Sequence, residues 1–189
     1  MTSAENQQER FIKIGWIIGF VDGEGCFSVG FIKQSDRREK TRVRRGYKTG
    51  YQPFHEFAVT QGEKSKTSLE VLKKHFGVGN IYPNRRHDNH KEDLYRFVVR
   101  KREDLINIII PFFKKYKMKT TKQEDFNKFV QCVMLMQKQE HLTSNGMVKI
   151  AKIASTMNRK KPRETLIKIL RDHTPTSQLN RDEEMVRTA

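Results

Sequence analysis

The chain places two acids between glycines, directly after an apolar stretch. Asp22 and Glu24 stand in the sequence Asp22-Gly23-Glu24-Gly25, and residues 14–21 before them are almost all apolar. A helix that is apolar on nearly every side is expected to be buried. Acids at its C-terminal end oppose the helix dipole. A carboxylate there needs a compensating cation, and a metal ion would serve. The alternative is an ordinary buried helix that ends in an acidic turn.

The same helix carries two glycines with helical spacing. Gly15 and Gly19 are four residues apart and therefore lie on one face. An interior glycine costs a helix about 1 kcal/mol relative to alanine, so two of them indicate that another helix approaches closely. Residues 14–21 are too few to span a bilayer. We therefore expect a protein partner at this face and no membrane.

Composition points to a polyanionic partner. The chain has 38 Lys and Arg against 22 Asp and Glu, a net charge of +16, and nucleic acid is the usual partner of such a surplus. The alternative is a generally solubilising surface. Cys26 and Cys132 both lie in apolar surroundings and are expected to be buried thiols in a reducing compartment. Residues 1–10 are polar and show no signal or transit pattern.

Two strands with a basic segment between them come next. Apolar and polar residues alternate over residues 26–32 and again over residues 54–61, as in half-buried strands. A two-stranded ribbon with a basic tip fits the major groove of DNA. The alternative is a disordered, solvated charge run. The basic residues of the segment are Lys33, Arg37, Arg38, Lys40, Arg42, Arg44, Arg45 and Lys48.

Further elements complete an α+β layout. A capping box at residues 67–70 predicts a helix that ends at Gly77. A third strand follows, and residues 94–100 alternate as a fourth. Asp104 is expected to cap a short helix that Pro111 ends. The order helix-strand-strand-helix-strand-strand-helix predicts a four-stranded antiparallel sheet with helices on one face, leaving the other face free for a ligand.

Helices are predicted for much of the remaining chain. A second capping box, at residues 121–124, opens one of them, and apolar spacing predicts two more before residue 172. Residues 173–189 are polar. We expect a flexible N-terminus over residues 1–10, one domain over residues 11–172 and a polar C-terminal tail.

Residues 17–25 resemble the signature of the LAGLIDADG homing endonucleases. Ile17-Ile18-Gly19-Phe20-Val21-Asp22-Gly23-Glu24-Gly25 follows that nine-residue pattern, with Ile17 and Ile18 where Leu and Ala are usual and Glu24 where Asp is frequent. Residues 57–61, 77–81, 111–116 and 119–122 are also similar to the family, so the resemblance covers roughly residues 10–160. It implies the family core of order αββαββα, with a saddle-like sheet facing DNA and extra C-terminal helices.

The resemblance implies a homodimer. The family fold sets two signature helices side by side, and this chain holds one copy of the signature. The expected interface residues are Gly15, Trp16, Ile18, Gly19 and Asp22. A two-fold dimer should bind a pseudo-palindromic site on double-stranded DNA.

The resemblance also implies a metal-dependent nuclease site. Glu24 would bind Mg²⁺, or another divalent cation such as Mn²⁺, beside the Gly23 carbonyl, with Asp22 as a weaker candidate ligand. Hard cations held by carboxylates suit phosphodiester hydrolysis. Gln61 matches a family position that orders water. Lys119 and Lys122 both fit the basic position, and each could equally be a solvated lysine at a helix start.

DNA recognition is expected on the free sheet face and at the ribbon tip, where Arg and Gln suit bases. The candidates are Ser28, Gly30, Ile32, Gln34, Arg37, Arg38, Arg42, Arg44, Arg45, Glu56, Ala58, Arg86, Arg96 and Arg100. Glu56 could accept a hydrogen bond from cytosine or form an intramolecular pair. His87 and His90 are best explained by a turn and not by a metal site.

The expected function is therefore a homing endonuclease that cuts both strands of a long DNA site. The resemblance implies that it is encoded in an intron. The alternative is a binder of the same fold that does not cleave, either a maturase acting on the host intron RNA or a DNA-binding regulator. The absence of a targeting pattern predicts action in the compartment of synthesis, which would be a bacterial or archaeal cytoplasm, a chloroplast or a mitochondrion, without secretion.

Overall fold

The computed structural model describes residues 3–34, 37–38, 40–46, 49–84, 93–158 and 163–172. The helices and strands follow one another in the order that the sequence predicts. The elements, in chain order, are α1 (Ser3–Glu24), β1 (Gly25–Lys33), β2 (Arg37–Arg38), β3 (Val43–Arg44), β4 (Tyr51–Gly62), a 3₁₀ turn (Glu63–Ser65), α2 (Lys66–Phe76), β5 (Asn80–Asn84), β6 (Leu94–Val99), α3 (Arg102–Asp104), a π-helical turn (Leu105–Ile109), α4 (Ile110–Lys115), α5 (Lys122–Gln137), a 3₁₀ turn (Glu140–Leu142), α6 (Ser144–Ser155) and α7 (Glu164–Asp172).

Four of the strands form one sheet in the order β1-β4-β6-β5, and β2 pairs with β3 in a separate ribbon. Strand β6 pairs antiparallel with both neighbours, with Val59 opposite Phe97 on one side and Ile81 opposite Phe97 on the other. The predicted α+β class and element order are confirmed. Among the described residues, no helix is both long and apolar enough to cross a membrane.

The chain divides into two compact units. The first contains Met1–Val29 and His55–Val133, and the second contains Gly30–Phe54 and Met134–Ala189. The boundaries of a single domain over residues 11–172 stay a prediction. The N-terminal residues expected to be flexible are helical from Ser3 onward, because α1 begins there.

Phe27 lies at the centre of an aromatic core in the first unit. Its ring centroid lies 5.0 Å from those of Phe57 and Phe126 and 5.5 Å from those of Phe113 and Phe129. All five side chains are fully buried. Stacked, edge-to-face and tilted contacts of this kind add to the free energy gained from burial. The core therefore fixes β1 against β4 residue Phe57 and against the helices that follow the sheet.

The second unit has its own apolar cluster. Met147 and Ala151 of α6 pack with Leu170 of α7, and partly buried side chains of Phe31, Tyr51, Val148, Leu166 and Ile167 surround them. The guanidinium of Arg163 lies 5.3 Å from the centre of the Phe31 ring. The helical spacing of apolar residues in this segment predicts these packed faces.

The predicted start of α2 is wrong, whereas its predicted end is correct. Helix α2 begins at Lys66 without a side-chain cap, and the Ser68 hydroxyl instead donates to the Ser65 carbonyl at 2.6 Å. The capping box predicted at residues 67–70 is therefore not formed, because the preceding 3₁₀ turn already starts the helix. Gly77 is confirmed as the end, since its φ is 68° and its N–H donates to the Lys73 carbonyl.

Pro111 does not end the helix before it. The helical segment continues from Arg102 to Lys115, and Asp104 lies inside it instead of capping it. A proline inside a helix removes an N–H and crowds the carbonyl one turn earlier. The π-helical turn Leu105–Ile109 precedes Pro111 and widens the helix there, so the chain accommodates the proline.

Phe27→Ala is expected to lower the free energy of unfolding by about 3–5 kcal/mol, because it leaves a cavity among four packed rings. Chemical denaturation measures this change. Leu142→Ala is the control, since Leu142 is 49% exposed and its truncation should cost no more than about 0.5 kcal/mol. Equal effects of the two substitutions would contradict the central position of Phe27.

Candidate active site

A tight junction between α1 and β1 presents the two acids. Ile14, Ile17 and Val21 bury one face of α1. At Gly25 a side chain would meet the Val21 carbonyl oxygen and side chain at 2.6 Å. Glycine is therefore required where the helix turns directly into the strand. This turn leaves the Glu24 side chain exposed at the end of the helix.

Asp22 joins the end of α1 to the segment before α5. Its Oδ2 accepts from the backbone N–H of Lys119 at 2.8 Å and of Thr120 at 3.2 Å, and its Oδ1 accepts from the Thr120 hydroxyl. Burial works to raise the pKa of Asp22. The hydrogen bonds from Thr120 and Lys119, with the charge of Lys122, outweigh it and leave the pKa below its usual value. Both oxygens are engaged, which suits a structural role better than metal binding.

Thr120 was not expected to take part, because no local sequence pattern links it with Asp22. Its hydroxyl also accepts from the Lys122 backbone N–H at 3.2 Å, and the Gln123 side chain accepts from the Met118 N–H at 3.0 Å. These contacts cap α5. Among the described residues, the capping box predicted at residues 121–124 is therefore not formed, although the helix starts at Lys122 as predicted.

The structure distinguishes the two candidate lysines. The Lys122 Nζ donates to the Gly23 carbonyl at 3.0 Å. Burial lowers the pKa of Lys122, against the opposing attraction of Cys26, Asp22 and Glu24. Lys119 contributes its backbone N–H to Asp22 and its residue is exposed. Lys122 is therefore the lysine that the fold places beside the acids.

Glu24 is the carboxylate available for a cation. Within the described ranges, no hydrogen bond or ion pair engages its side chain. No group of three His, Cys, Asp or Glu side chains that could hold a metal converges in the part of the chain that the structure describes. One copy offers the Glu24 carboxylate and the Gly23 carbonyl. The Gly23 carbonyl oxygen accepts a hydrogen bond from Lys122 with one lone pair and keeps its second lone pair for a cation. A hard divalent cation takes about six or more oxygen ligands, so these groups fit it only as part of a larger set.

Gln61 lies near the end of β4, opposite Tyr95 of β6, and is half-buried. Among the described residues, no hydrogen bond links it with Glu24 or Lys122. Its role in ordering water stays a prediction. Cys26, expected to be a buried thiol, is exposed instead, while Cys132 is buried as predicted. Strand alternation explains the error, because Phe27 faces the core and its neighbour Cys26 faces outward.

On β4 and β6 the predicted recognition face is partly covered. Glu56 pairs with both Arg96 and Arg100, and it is 6% exposed. Ala58 is only 2% exposed, and its contact with DNA stays a prediction. Ser28 of β1 remains half-buried on its strand. The intramolecular pairing of Glu56, one of its two predicted roles, is confirmed.

In the second unit, the candidates on β1 and the ribbon differ in accessibility. Ile32 is exposed, and the Gln34 amide donates to the Gln52 side chain at 2.6 Å. At Gly30 a side chain would collide with the Phe54 ring, so that ring covers the position. Arg42, Arg44 and Arg45 are exposed on or beside β3. Arg86, His87, His90 and the side chains of Arg37 and Arg38 lie outside the described residues.

The outward face of α1 is apolar and open. Phe11 is 58%, Ile12 65% and Trp16 41% exposed, and Trp16 stacks on Phe20 with centroids 4.8 Å apart. Side chains added at Gly15 or Gly19 would meet nothing within 4 Å. The prediction that the whole helix is buried is therefore wrong for one copy. A contiguous exposed apolar face marks a surface that another molecule covers.

Two solved structures share this fold. The homing endonuclease I-TnaI aligns with a TM-score of 0.67 and 39% identity, over 85% of this chain and 97% of that one. I-SmaMI, solved bound to an uncleaved DNA target in the presence of calcium ions, aligns with a TM-score of 0.62 and 33% identity, over 78% of this chain and 45% of that one. The sheet and the helices thus have the architecture of homing endonucleases.

The sequence pattern of the LAGLIDADG endonucleases matches residues 17–133, which is more than half of the chain. The chain belongs to the LAGLIDADG endonuclease family. A curated relative, the probable intron-encoded endonuclease 2 of Neurospora crassa, is 31% identical over 144 residues, or 75% of this chain. The chain spans 26% of the length of that relative.

Asp22→Asn is expected to lower the free energy of unfolding by about 1 kcal/mol at neutral pH, a value reduced from that of a buried charged hydrogen bond because the site is partly open to solvent. The pKa of the Asp22 carboxyl is lower in the folded chain than in the unfolded chain. The contribution is therefore complete above the unfolded pKa, about 3.9, and disappears as the pH falls through the lower folded pKa. Chemical denaturation of wild type and Asp22→Asn across this pH range measures the difference in their free energies of unfolding.

The matched control for this substitution is Asp93→Asn, which removes an exposed carboxylate elsewhere in the same unit. It should leave the free energy of unfolding nearly unchanged at every pH. A difference between wild type and Asp22→Asn that persists undiminished in acid would show that the charge of Asp22 does not stabilise the junction.

Proposed function

We propose that the chain is a site-specific homing endonuclease of the intron-encoded kind. It acts as a homodimer and hydrolyses both strands of a long, pseudo-palindromic DNA site with a divalent metal ion, in the compartment where it is made. The observation that carries the proposal is the exposed Glu24 carboxylate, which has no hydrogen bond or ion pair with a described residue, beside the Lys122 ammonium bound to the Gly23 carbonyl.

The incomplete ligand set supports a site shared by two copies. One chain contributes one unengaged carboxylate, because Asp22 is engaged by Lys119 and Thr120. A second copy packed against the open face of α1 would bring a second Glu24 to the same helix end. Gly15 and Gly19 leave room there for close approach, and Phe11 and Trp16 supply apolar surface for it to bury. Trp16 and Ile18 would flank the contact.

Glu24 and the Gly23 carbonyl would hold Mg²⁺ or Mn²⁺. Such an ion activates water and stabilises charge on the scissile phosphate. I-SmaMI was solved with calcium ions and its DNA target, which supports a divalent ion in the family site. Gln61 would orient water by hydrogen bonding. Lys122 would stabilise the developing negative charge or exchange a proton through Nζ, and its lowered pKa makes loss of that proton easier.

Basic residues would supply DNA affinity. Arg42, Arg44 and Arg45 are exposed, and a basic ribbon can enter the major groove. Lysine and arginine contacts with phosphates position a protein without reading sequence. Base recognition would then fall to strand residues such as Arg96, Arg100 and Gln34.

Glu24→Gln should abolish cleavage and retain DNA binding, because it removes the metal-binding charge with little change of shape. The test incubates wild type and variant with a randomised DNA pool and Mg²⁺, then sequences the cut ends. Cuts at one pseudo-palindromic site that the variant does not make would support the proposed enzyme. Glu63→Gln, which changes an exposed acid of the 3₁₀ turn before α2, should cut like wild type.

Cleavage by Glu24→Gln at the wild-type rate would remove Glu24 from the site. Specific binding of a DNA site by wild type without any cutting would instead favour the non-cleaving binder of the same fold. An assay of intron RNA splicing would then test the maturase function.

Gly19→Leu should halve the sedimentation mass, since a Cβ at this position meets nothing within 4 Å in one copy, whereas the leucine side chain would collide with a second copy packed on α1. Analytical ultracentrifugation measures the mass, and circular dichroism checks folding. The control Gln131→Leu adds the same side chain at an exposed position of α5. An unchanged dimer mass in Gly19→Leu would refute this interface.

A further inference from the structure

One buried carboxylate holds two arginines on the sheet face of β4 and β6. The Glu56 Oε1 accepts from Arg96 Nη2 at 2.7 Å, and its Oε2 accepts from Arg100 Nε at 2.9 Å. The Glu56 side chain is 8% exposed, whereas those of Arg96 and Arg100 are 32% and 62% exposed. The carboxylate is therefore enclosed while both guanidinium groups reach solvent.

The strand register shows how Arg96 is directed. Arg96 lies opposite Thr60, and Val98 lies opposite Ala58. Opposite residues of an antiparallel pair share a face, so the Arg96 side chain must extend along the sheet past this pair to reach Glu56. Ala58 and Val98 are 2% and 4% exposed, as expected if the long side chain covers them. Arg96 is thus held in one direction.

The two hydrogen bonds leave several donors available. A guanidinium carries five N–H donors. Because Arg100 binds Glu56 through Nε, its two terminal nitrogens have no partner among the described residues. Two parallel N–H groups of this kind match the O6 and N7 acceptors of guanine in the major groove.

Glu56 also reduces the local charge. One carboxylate between two guanidinium groups leaves a net charge of +1 where two free arginines would have +2. Attraction to phosphate is not selective for sequence. A lower charge and a fixed direction both favour contacts with base edges over contacts with the backbone.

We propose that Glu56 is a positioning residue for DNA recognition, which presents Arg96 and Arg100 to guanine edges and restrains them from binding phosphate. The proposal rests on the proposed function only in that the sheet must contact duplex DNA. It assigns Glu56 a role in specificity without direct contact with a base.

The test uses binding and not cleavage. The wild-type full chain selects duplexes from a randomised library, and affinities are then measured for a selected duplex and for a shuffled duplex of the same composition. Glu56→Gln should reduce the ratio of selected to shuffled affinity about tenfold, within the range that bidentate guanine contacts provide. Its affinity for the shuffled duplex should rise, with a salt dependence steeper by up to about one unit of slope.

Two further variants separate positioning from charge and from stability. Glu103→Gln removes a carboxylate that pairs with Lys101 at 3.1 Å on the surface of the same unit, and it should leave the affinity ratio unchanged. Arg100→Lys keeps the charge but loses the bidentate group. It should reduce the ratio without tightening binding to the shuffled duplex, and it tests the proposal even if Glu56→Gln fails to fold.

The outcomes distinguish this proposal from the proposed enzyme. An unchanged affinity ratio in folded Glu56→Gln, or in Arg100→Lys if the first variant does not fold, overturns the positioning role alone. Selection that yields no preferred duplex overturns both the positioning role of Glu56 and the proposed site-specific enzyme. Selection that succeeds without any cutting overturns the nuclease activity, while the affinity ratios still decide the role of Glu56.

Discussion

The acidic junction depends on the hydrogen bonds that Asp22 accepts from Lys119 and Thr120. These contacts join residues almost one hundred positions apart and bring the start of α5 to the end of α1. Lys122 follows directly in α5, and its ammonium reaches the Gly23 carbonyl. An aspartate at a helix C-terminus is unfavourable for the helix itself. Here it is stabilised by donors from another segment. The two acids of the motif therefore differ in role, since Asp22 holds the backbone in place and the Glu24 side chain stays exposed.

The unengaged Glu24 and the open face of α1 are consistent with the same proposal. A monomer gains nothing from leaving Phe11 and Trp16 exposed to water, and burying apolar surface against a second copy would contribute roughly 25 cal/mol per Å². The two glycines weaken the helix by about 1 kcal/mol each relative to alanine. That cost is offset if backbone contact through Gly15 and Gly19 brings two Glu24 carboxylates within reach of the same cations.

Local sequence patterns predicted the elements better than their contacts. Strand alternation found β1, β4 and β6, and Gly77 marked a helix end because its φ of 68° favours glycine. The Lys119 and Lys122 alternatives could not be separated from sequence, since the choice depends on how a distant aspartate orients the chain between them. The burial of Ala58 was equally hidden, because strand alternation gives the face on which a residue lies and not what packs over it. Pro111 misled because proline normally ends a helix, and a π-helical turn that accommodates it has no clear sequence pattern.

In the proposed endonuclease, the excess positive charge would serve two different purposes. A net charge of +16 attracts any nucleic acid, and the affinity it supplies weakens as salt concentration rises. An enzyme that must select one site needs some of its arginines withheld from this general attraction. Exposed Arg44 and Arg45 remain available for phosphate, whereas the Glu56 carboxylate offsets one of the two positive charges of Arg96 and Arg100 and pairs with both. If Glu56 positions these arginines as proposed, burying one acid among bases gives up some affinity for DNA in general in return for sensitivity to its sequence.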